Sequence, residues 1–476
     1  MNRSISRHPI SIALMALMLI TMFSVLSGCD EGAGNGAIEE GAITVPDDYS
    51  SIQGAIDAAE DGDVIVVKTG TYNENINFEG KNITLRSTAP EDPEVREQTV
   101  IDGGRTGSVV TFENGENEGA MISGFTITGG GGKRATLEFT VEGETREEGA
   151  YYGGGMIIMN ESSPTVENND FVKNVAERGG GIMVHDSSPV INNNRISDNT
   201  STGGGGGLFL AHATAASVSD NEISGNVAER SGGGVAVSGQ GDEASTFEAN
   251  NISNNRAQNG GGFSIFEAEP NIFNNTILDN TAHQAGGGLY VFKASPLVSG
   301  NDLNDNTAES RGGAMAVFYE SSPQLENNMM IGNEAIDAGG GVLVMMESTP
   351  RFEGNVISDN RSRNGGGVVI IEGSAPEFEG NDITGNNSER NGAGVYIQTA
   401  TATFEGNNIN NNDARRDGGG IYAAVEAVVT LTNNVFEGNR ASSGGAIYVL
   451  EDAVLELSDP DDNTYEDNVP DDIEEE

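Results

Sequence analysis

The chain has 476 residues, and 36% of them are hydrophobic, which excludes a disordered acidic chain and allows a sizeable buried core. Lysine and arginine number 24 against 73 aspartates and glutamates, so the net charge of −49 argues against nucleic acid or anionic lipid as a partner. The single cysteine excludes an internal disulfide framework.

Residues 1–28 are predicted to be an export signal. Arg3 and Arg7 precede an apolar run at 10–26, which is short for a membrane-spanning helix. The run ends in Leu-Ser-Gly-Cys29, which resembles the lipobox of bacterial lipoproteins. The resemblance implies cleavage before Cys29, a lipid on Cys29, and a protein exported to the bacterial cell envelope, at the outer membrane and cell surface or at the inner membrane. The alternative is an ordinary secretory signal with a chance cysteine.

An N-terminal cap with the first coils is predicted at 43–152, after a flexible tether at 29–42. Ser50 or Ser51 can cap a helix whose apolar side chains at 52, 55, 56 and 59 share one face. The charged stretch 90–98 is predicted to be a loop. Residues 131–152 break the later repeat, and we expect either a protruding hairpin on one coil or an insertion without a role.

Twelve glycine triplets at intervals of 26 to 28 residues define regular repeats over 153–468, and an acidic tail is predicted at 469–476. A fixed period of this length indicates one supersecondary unit stacked on itself. The triplets begin at Gly153, Gly179, Gly205, Gly232, Gly260, Gly286, Gly312, Gly339, Gly365, Gly392, Gly418 and Gly444.

Each repeat also carries an apolar strand after the glycines and the pattern Asn-x-apolar-x-x-Asn, as in Asn169–Phe171–Asn174. In seven repeats a proline lies between these two features. Three short strands and three turns per repeat follow, and equivalent asparagines of successive coils lie above one another. Asparagine columns can pass amide hydrogen bonds from coil to coil, so we interpret them as structural.

Several segments resemble the right-handed parallel β-helix proteins of the pectin-lyase-like superfamily, namely 51–59, 62–67, 70–72 and 81–85 together with the repeats. The Gly-Gly-Ala-Ile and asparagine pattern is also similar to the repeats of polymorphic outer-membrane proteins. The resemblance implies an all-β chain forming a single right-handed parallel β-helix of about fifteen three-stranded coils, with an N-terminal capping helix over the open end.

Stacking allows the strand after each triplet to be interpreted column by column. The third and fifth positions after the first glycine are apolar in every repeat and are predicted to face the core. The fourth and sixth positions then face outward, yet many are apolar or aromatic, which is typical of an interface. The alternatives are that loops or the 131–152 insertion cover these residues, or that they only stabilise the sheet. The candidate binding residues are Phe266, Tyr290, Phe292, Phe318, Tyr396, Tyr422 and Tyr448.

Candidates for catalysis are few, and no catalytic residue is predicted. His185 and His212 occupy the sixth and seventh positions of adjacent coils, from which we expect their side chains to point to opposite sides or into a turn. Asp279 and Asp305 align on successive coils and are weak candidates for Ca²⁺ binding or for an acid/base pair, although exposed turn residues are the simpler interpretation. Sequence motifs of the pectin-methylesterase and polygalacturonase enzymes are absent from the chain.

The hypothesis from the sequence is a non-catalytic, lipid-anchored envelope or surface protein. Its β-helix face would bind an envelope or extracellular protein or glycan, without a cofactor, in the manner of an adhesin-like scaffold. The alternative, from the superfamily resemblance, is a polysaccharide lyase or glycoside hydrolase. A third possibility is a structural spacer without a ligand.

Overall fold

The computed structural model describes residues 39–141, 144–212, 215–239, 243–457 and 462–475, with the side chains of 140 and 141 left out. The predicted signal and lipidation site at Cys29 lie outside this part of the chain, as does most of the tether. Within the described residues, neither the length nor the hydropathy of any helix suffices to cross a bilayer.

The described residues from 43 onward form a right-handed solenoid of parallel strands, which confirms the predicted all-β fold. In one coil the chain passes through the strands Met156–Ile158, Thr165–Glu167, Asp170–Val172 and Val175–Ala176 before the next glycine triplet. Three sheets of fifteen or sixteen strands result, in agreement with about fifteen coils, and a fourth sheet of ten very short strands was not predicted.

We name three of the sheets after the sequence feature that precedes their strands, and the fourth, the short sheet, after the length of its strands. The triplet sheet contains Ile76–Asn77, Val110–Phe112, Met156–Ile158, Ile182–His185, Leu208–Ala211, Val235–Ser238, Phe263–Phe266, Leu289–Phe292, Met315–Phe318, Val342–Val344, Val368–Ile371, Val395–Gln398, Ile421–Ala423, Ile447–Val449 and Ile473–Glu475. The proline sheet contains Ile43–Val45, Val64–Val67, Thr84–Ser87, Met121–Ser123, Thr165–Glu167, Val190–Asn192, Ser217–Ser219, Thr246–Glu248, Asn271–Phe273, Leu297–Ser299, Gln324–Glu326, Arg351–Glu353, Glu377–Glu379, Thr401–Glu405, Val428–Thr432 and Val454–Leu457.

The asparagine sheet contains Gly70–Tyr72, Thr99–Asp102, Thr126–Thr128, Asp170–Val172, Arg195–Ser197, Glu222–Ser224, Asn251–Ser253, Thr276–Leu278, Asp302–Asn304, Met329–Ile331, Val356–Ser358, Asp382–Thr384, Asn408–Asn410, Val435–Glu437 and Thr464–Glu466. The short sheet contains Val175–Ala176, Thr200–Ser201, Val227–Ala228, Arg256–Asn259, Thr281–Ala285, Thr307–Ala308, Glu334–Ala335, Arg361–Ser362, Asn387–Ser388 and Asp413–Ala414. An antiparallel hairpin of Lys133–Val141 and Glu144–Tyr152 interrupts the early coils.

Both ends of the stack carry elements that limit an open strand edge. The helix Ile52–Ala58 begins after Ser51, whose hydroxyl accepts a hydrogen bond from Gly54 N, and its apolar face is buried as predicted. The predicted acidic tail contains the strand Ile473–Glu475, which pairs with Ile447–Val449 and leaves carboxylates at that edge.

The stretch predicted to be a loop at 90–98 instead contains the helix Pro93–Gln98, because Asp92 caps it and proline suits its first turn.

Two columns of buried asparagines run along the asparagine sheet, as the repeats predicted. In a typical step the Asn174 Nδ2 donates to Asn199 Oδ1 at 3.1 Å and to the carbonyl of Ile127 at 2.9 Å. The same Asn199 oxygen accepts from the Asn174 backbone N–H at 3.0 Å. At each of these turns, the buried amide groups of one coil therefore form hydrogen bonds with polar groups of the neighbouring coils.

Besides the asparagine columns, a continuous apolar cluster runs through the interior. Every side chain in the predicted third and fifth columns of the triplet sheet is buried, which confirms their inward direction. On the proline sheet, Phe352, Phe378 and Phe404 stack inside with centroid distances of 4.5 and 4.8 Å. Side chains at the fourth and sixth positions form what we call the outer face, and most of the apolar ones belong to clusters separate from this core.

Candidate functional site

The outer face of the triplet sheet is apolar along most of its length, but much of it is buried. Ile157 and Met183 in the fourth column are fully buried, whereas Tyr290 and Tyr396 in the same column are half-buried. Along the face lie coils covered by the hairpin, an aromatic patch, a stretch of buried aliphatic side chains around Leu343, and a tyrosine ladder.

The hairpin covers the first part. Alternate side chains of its two strands face the sheet, and Leu137, Phe139, Ala150 and Tyr152 cluster with outer-face residues. The hairpin was predicted correctly, but its protrusion was wrong, because docking removes the apolar surface of both elements from water. For this part, the alternative that the insertion covers the face is confirmed. The covered residues are Ile157, Met159, Met183, Phe209, Ala211 and Ala236.

Arg178 joins the second hairpin strand to the coil beneath. Its guanidinium lies 2.6 Å from Oε2 of Glu148 and 4.8 Å from the ring centroid of Phe139. The same group lies 5.4 Å from the ring of Phe209 in the next coil. Arg178 thus combines an ion pair with cation–π contacts on both sides of the hairpin interface.

His185 joins the first hairpin strand to the same coil. Its Nε2 lies 2.8 Å from the carbonyl oxygen of Glu138 and its Nδ1 lies 3.1 Å from Oδ2 of Asp186. Burial lowers the pKa of His185, but the hydrogen bonds to Asp186 and Glu138, with the charges of both residues, outweigh burial and raise it above 6.5. The hydrogen bond from His185 in turn lowers the pKa of Asp186.

The second histidine also belongs to this cluster. The rings of His185 and His212 lie 6.0 Å apart, and Phe139 of the hairpin contacts both. Of the two alternatives predicted for these histidines, that of side chains on opposite sides of the strand is wrong, whereas His212 does lie in the bend after its strand, with a left-handed φ of 50°.

The aromatic patch consists of Phe266, Tyr290, Phe292, Phe318 and Tyr319. The rings of Phe266 and Phe292 stack at 4.7 Å, and Tyr290 lies 5.2 Å from Phe318. Tyr319, at 43% exposed the most accessible of the five, lies 4.7 Å from Phe292. Burial, with the nearby Tyr319, raises the pKa of Tyr290 to about 12, so its hydroxyl is neutral. Tyr319 occupies the seventh position, outside the alternate columns from which the binding face was predicted.

The tyrosine ladder consists of Tyr396, Tyr422 and Tyr448. Their rings stack at 5.3 and 5.5 Å with nearly parallel planes. Tyr422 and Tyr448 are each only 8% exposed, so they offer a ligand far less surface than the aromatic patch does. These two members of the predicted binding face therefore act mainly in packing.

A cleft of about 400 Å³ lies where the hairpin meets the aromatic patch. Phe139 and Glu148 of the hairpin line it on one side and Phe266 lines it on the other. The wall between Arg178 and Arg230 is made of glycine and small polar residues, which leaves the cleft open. The cleft combines aromatic rings, guanidinium donors and carboxylate acceptors, a combination suited to a ligand with both apolar and hydroxyl surfaces. The remaining lining residues are Glu177, Thr202, Gly203, Gly204, Phe209, Ser231, Ala236, Val237, Ser238 and Ser264.

Asp279 and Asp305 lie elsewhere. Both are exposed at a corner after the asparagine sheet, with left-handed φ angles of 55° and 54°. In the described part of the chain, no group of three or more His, Cys, Asp or Glu side chains is placed to hold a metal ion. The two aspartates do not line the cleft.

Comparisons with known proteins bear on the fold. The family model described as right handed beta helix region matches residues 94–246, 203–357, 241–390 and 332–459, which together cover more than half of the chain. The search of curated proteins gives no significant match. A similar solved structure is the receptor-binding protein of bacteriophage Det7, a tailspike, with a TM-score of 0.30 and 10% identity over 88% of this chain and 76% of that chain.

Proposed function

The chain belongs to the right-handed β-helix family, and on this premise we propose that it is a non-catalytic envelope scaffold that binds an uncharged glycan. The glycan would occupy the cleft and continue over the aromatic patch. The observation that carries the proposal is the junction of the two, where the rings of Phe266 and Phe292 follow directly on a cleft lined by Arg178 and Arg230.

The rings supply the apolar part of this recognition. Phe266, Phe292 and Phe318 lie on three successive coils and are half-buried, so each presents a rigid surface at little entropic cost. Because Phe266 and Phe292 stack on each other, the C–H groups of a pyranose ring would pack on the exposed edges of these rings rather than on their faces. Successive sugars of a chain could therefore meet successive rings along the sheet.

The charges favour an uncharged ligand. The net charge of −49 repels an anionic polysaccharide unless calcium bridges the two. Inside the cleft, Arg178 and Arg230 balance Glu148 and Glu177. Two charges of each sign, of which Arg178 and Glu148 form an ion pair, offer donors and acceptors to sugar hydroxyls without attracting an ionised group.

Binding should be measured by calorimetric titration with neutral and uronate oligosaccharides. Phe292→Ala should lower affinity for a neutral glycan roughly tenfold, in line with the value of a central aromatic contact. Ile336→Ala is the matched control, because Ile336 is 53% exposed and lies outside both the patch and the cleft. Equal affinity in both variants would contradict the proposal, as would binding of envelope proteins alone.

The lipid anchor and the envelope location are part of the same proposal. They rest on the Leu-Ser-Gly-Cys29 sequence after the apolar run at 10–26. Labelled fatty acid fed to producing cells should be incorporated into the parent chain and not into Cys29→Ser. Release of the unmodified parent into the medium would contradict the anchor. Fractionation of the labelled cells would distinguish the outer from the inner membrane.

Cleavage of the bound glycan is the second candidate. Glu148 and Glu177 line the same cleft, and paired carboxylates can act as acid and base on a glycosidic bond. Product analysis after incubation with the glycan panel, with and without calcium, tests this candidate. Turnover that is lost in Glu177→Gln would replace the non-catalytic proposal with a hydrolase or lyase.

A further inference from the structure

A second cleft, of about 380 Å³, lies on the N-terminal side of the hairpin, and we call it the N-terminal cleft. The first two strands of the triplet sheet contribute Asn77 and Thr111, and the base of the hairpin contributes Lys133, Arg134 and Tyr151. None of its described lining residues is an aspartate or a glutamate, in a chain that has 73 of them against 24 lysines and arginines. The lining therefore favours an anionic ligand.

Arg134 supplies the positive charge of the N-terminal cleft. Its side chain is exposed and forms no ion pair or hydrogen bond within the described part of the chain. The neighbouring Lys133 is already paired with Glu113, and the other oxygen of that carboxylate accepts from Asn77 Nδ2 at 2.9 Å. The uncompensated group is therefore the guanidinium, whose planar fork matches two oxygens of a phosphate.

A buried hydroxyl lines the same cleft. Thr111 pairs with Ile157 of the fourth column, so its side chain lies on the outer face. It is only 7% exposed, and its hydroxyl forms no hydrogen bond with the described residues. A buried hydroxyl without a partner costs free energy, which an acceptor oxygen of a ligand would offset.

The rest of the lining suits a sugar. Tyr151 is 46% exposed and lies directly opposite Arg134 in the hairpin, so both side chains are on one face. Its ring offers apolar surface to a pyranose. The Asn75 amide is held in place, because its Nδ2 donates to the Ser108 carbonyl and its Oδ1 accepts from the Thr106 hydroxyl, both at 2.8 Å. We propose that the N-terminal cleft binds a phosphorylated monosaccharide.

The phosphate would lie on Arg134 and Thr111, with the sugar ring against Tyr151. A phosphate monoester fits these donors better than a carboxylate does, because it carries more charge and three terminal oxygens. The net charge of −49 repels anions at long range, but salt screens this repulsion beyond about 8 Å at physiological ionic strength. This site goes beyond the proposed function and does not depend on it.

Calorimetric titration of the full chain should compare glucose 6-phosphate with glucose and with inorganic phosphate. Glucose 6-phosphate should bind most tightly, because it alone supplies both the anion and the sugar ring. Arg134→Gln should lower this affinity roughly tenfold, and Thr111→Val, which keeps the shape of the side chain, should lower it severalfold. Because Arg134 is exposed, its replacement leaves the fold intact.

Arg146→Gln is the matched control. It removes the same charge from the same hairpin, but Arg146 pairs with Glu144 and does not line the N-terminal cleft, so the parent affinity should remain. Equal affinities in Arg134→Gln and Arg146→Gln would overturn the proposal, as would glucose or inorganic phosphate binding as tightly as glucose 6-phosphate. Phe292→Ala should leave binding of the sugar phosphate unchanged, so failure here is distinguishable from failure of glycan binding at the aromatic patch.

Discussion

The phenyl rings of Phe266 and Phe292 lie parallel on adjacent coils, 4.7 Å apart and inclined by 8°. This distance matches the spacing of hydrogen-bonded strands, so the backbone register positions the rings. The patch that they begin is therefore arranged before any ligand arrives, which reduces the entropy lost on binding.

Asn333→Ala should lower the free energy of unfolding by about 3 kcal/mol, because several buried hydrogen bonds lose their partner. Asn333 Oδ1 accepts from the backbone of Asn306 at 2.8 Å, and its Nδ2 donates to Leu303 and Asn360. Asn251→Ala, at an exposed position, should change stability by less than about 0.5 kcal/mol. Denaturant unfolding compares the two, and equal midpoints would show that the ladder is dispensable.

Gly286→Ala should be more destabilising than Gly380→Ala. Both glycines have left-handed φ angles, of 67° and 63°, so both variants carry backbone strain of about 1 kcal/mol. At Gly286 a Cβ would also lie 2.5 Å from the carbonyl oxygen of Leu289, whereas nothing lies within 4 Å at Gly380. The steric term should add about 2 kcal/mol in thermal unfolding. Identical melting temperatures would contradict the close approach at the triplets.

Tyr422→Ala should destabilise the fold by about 3 kcal/mol, because a buried ring stacked on two neighbours leaves a cavity. Phe292→Ala removes a half-buried ring and should lower the free energy of unfolding by less. Circular dichroism during heating gives both values. A smaller effect at Tyr422 would mean that the tyrosine ladder, rather than the aromatic patch, is free for a ligand.

Calcium should change the melting temperature of a double variant, with Asp279→Asn and Asp305→Asn, as much as it changes that of the parent. Calcium requires six to eight oxygens, and these two exposed carboxylates have no third acidic partner in the described part of the chain. Melting temperatures in millimolar calcium and in chelator test this expectation. A calcium-dependent increase seen only in the parent would instead identify these two weak candidates as calcium ligands.

The repeat made the coils, the inward columns and the asparagine ladders predictable, because each depends only on which residues recur at one spacing. Asn174 and Asn199 occupy equivalent positions, so their hydrogen bond follows from stacking alone. The helix Pro93–Gln98 was missed although Asp92 and Pro93 together form a recognisable start signal.

The sequence left open whether the hairpin protrudes or covers the outer face, because residues 131–152 have no counterpart in other repeats. Its docking depends on the match of Leu137 and Phe139 to the outer face, and on His185 meeting Glu138. Such contacts join one unrepeated segment to a repeated surface. The cleft, which needs both, was accordingly absent from the predicted sites.

Each asparagine rung meets the same kind of rung above and below, so a coil is interchangeable with its neighbours. Removing residues 339–364, one whole repeat, would join Ala338 to Gly365 and let Asn333 bond to Asn386 in place of Asn360. In-frame gain or loss of one repeat would therefore change the length of the solenoid while leaving the cleft and the aromatic patch unaltered.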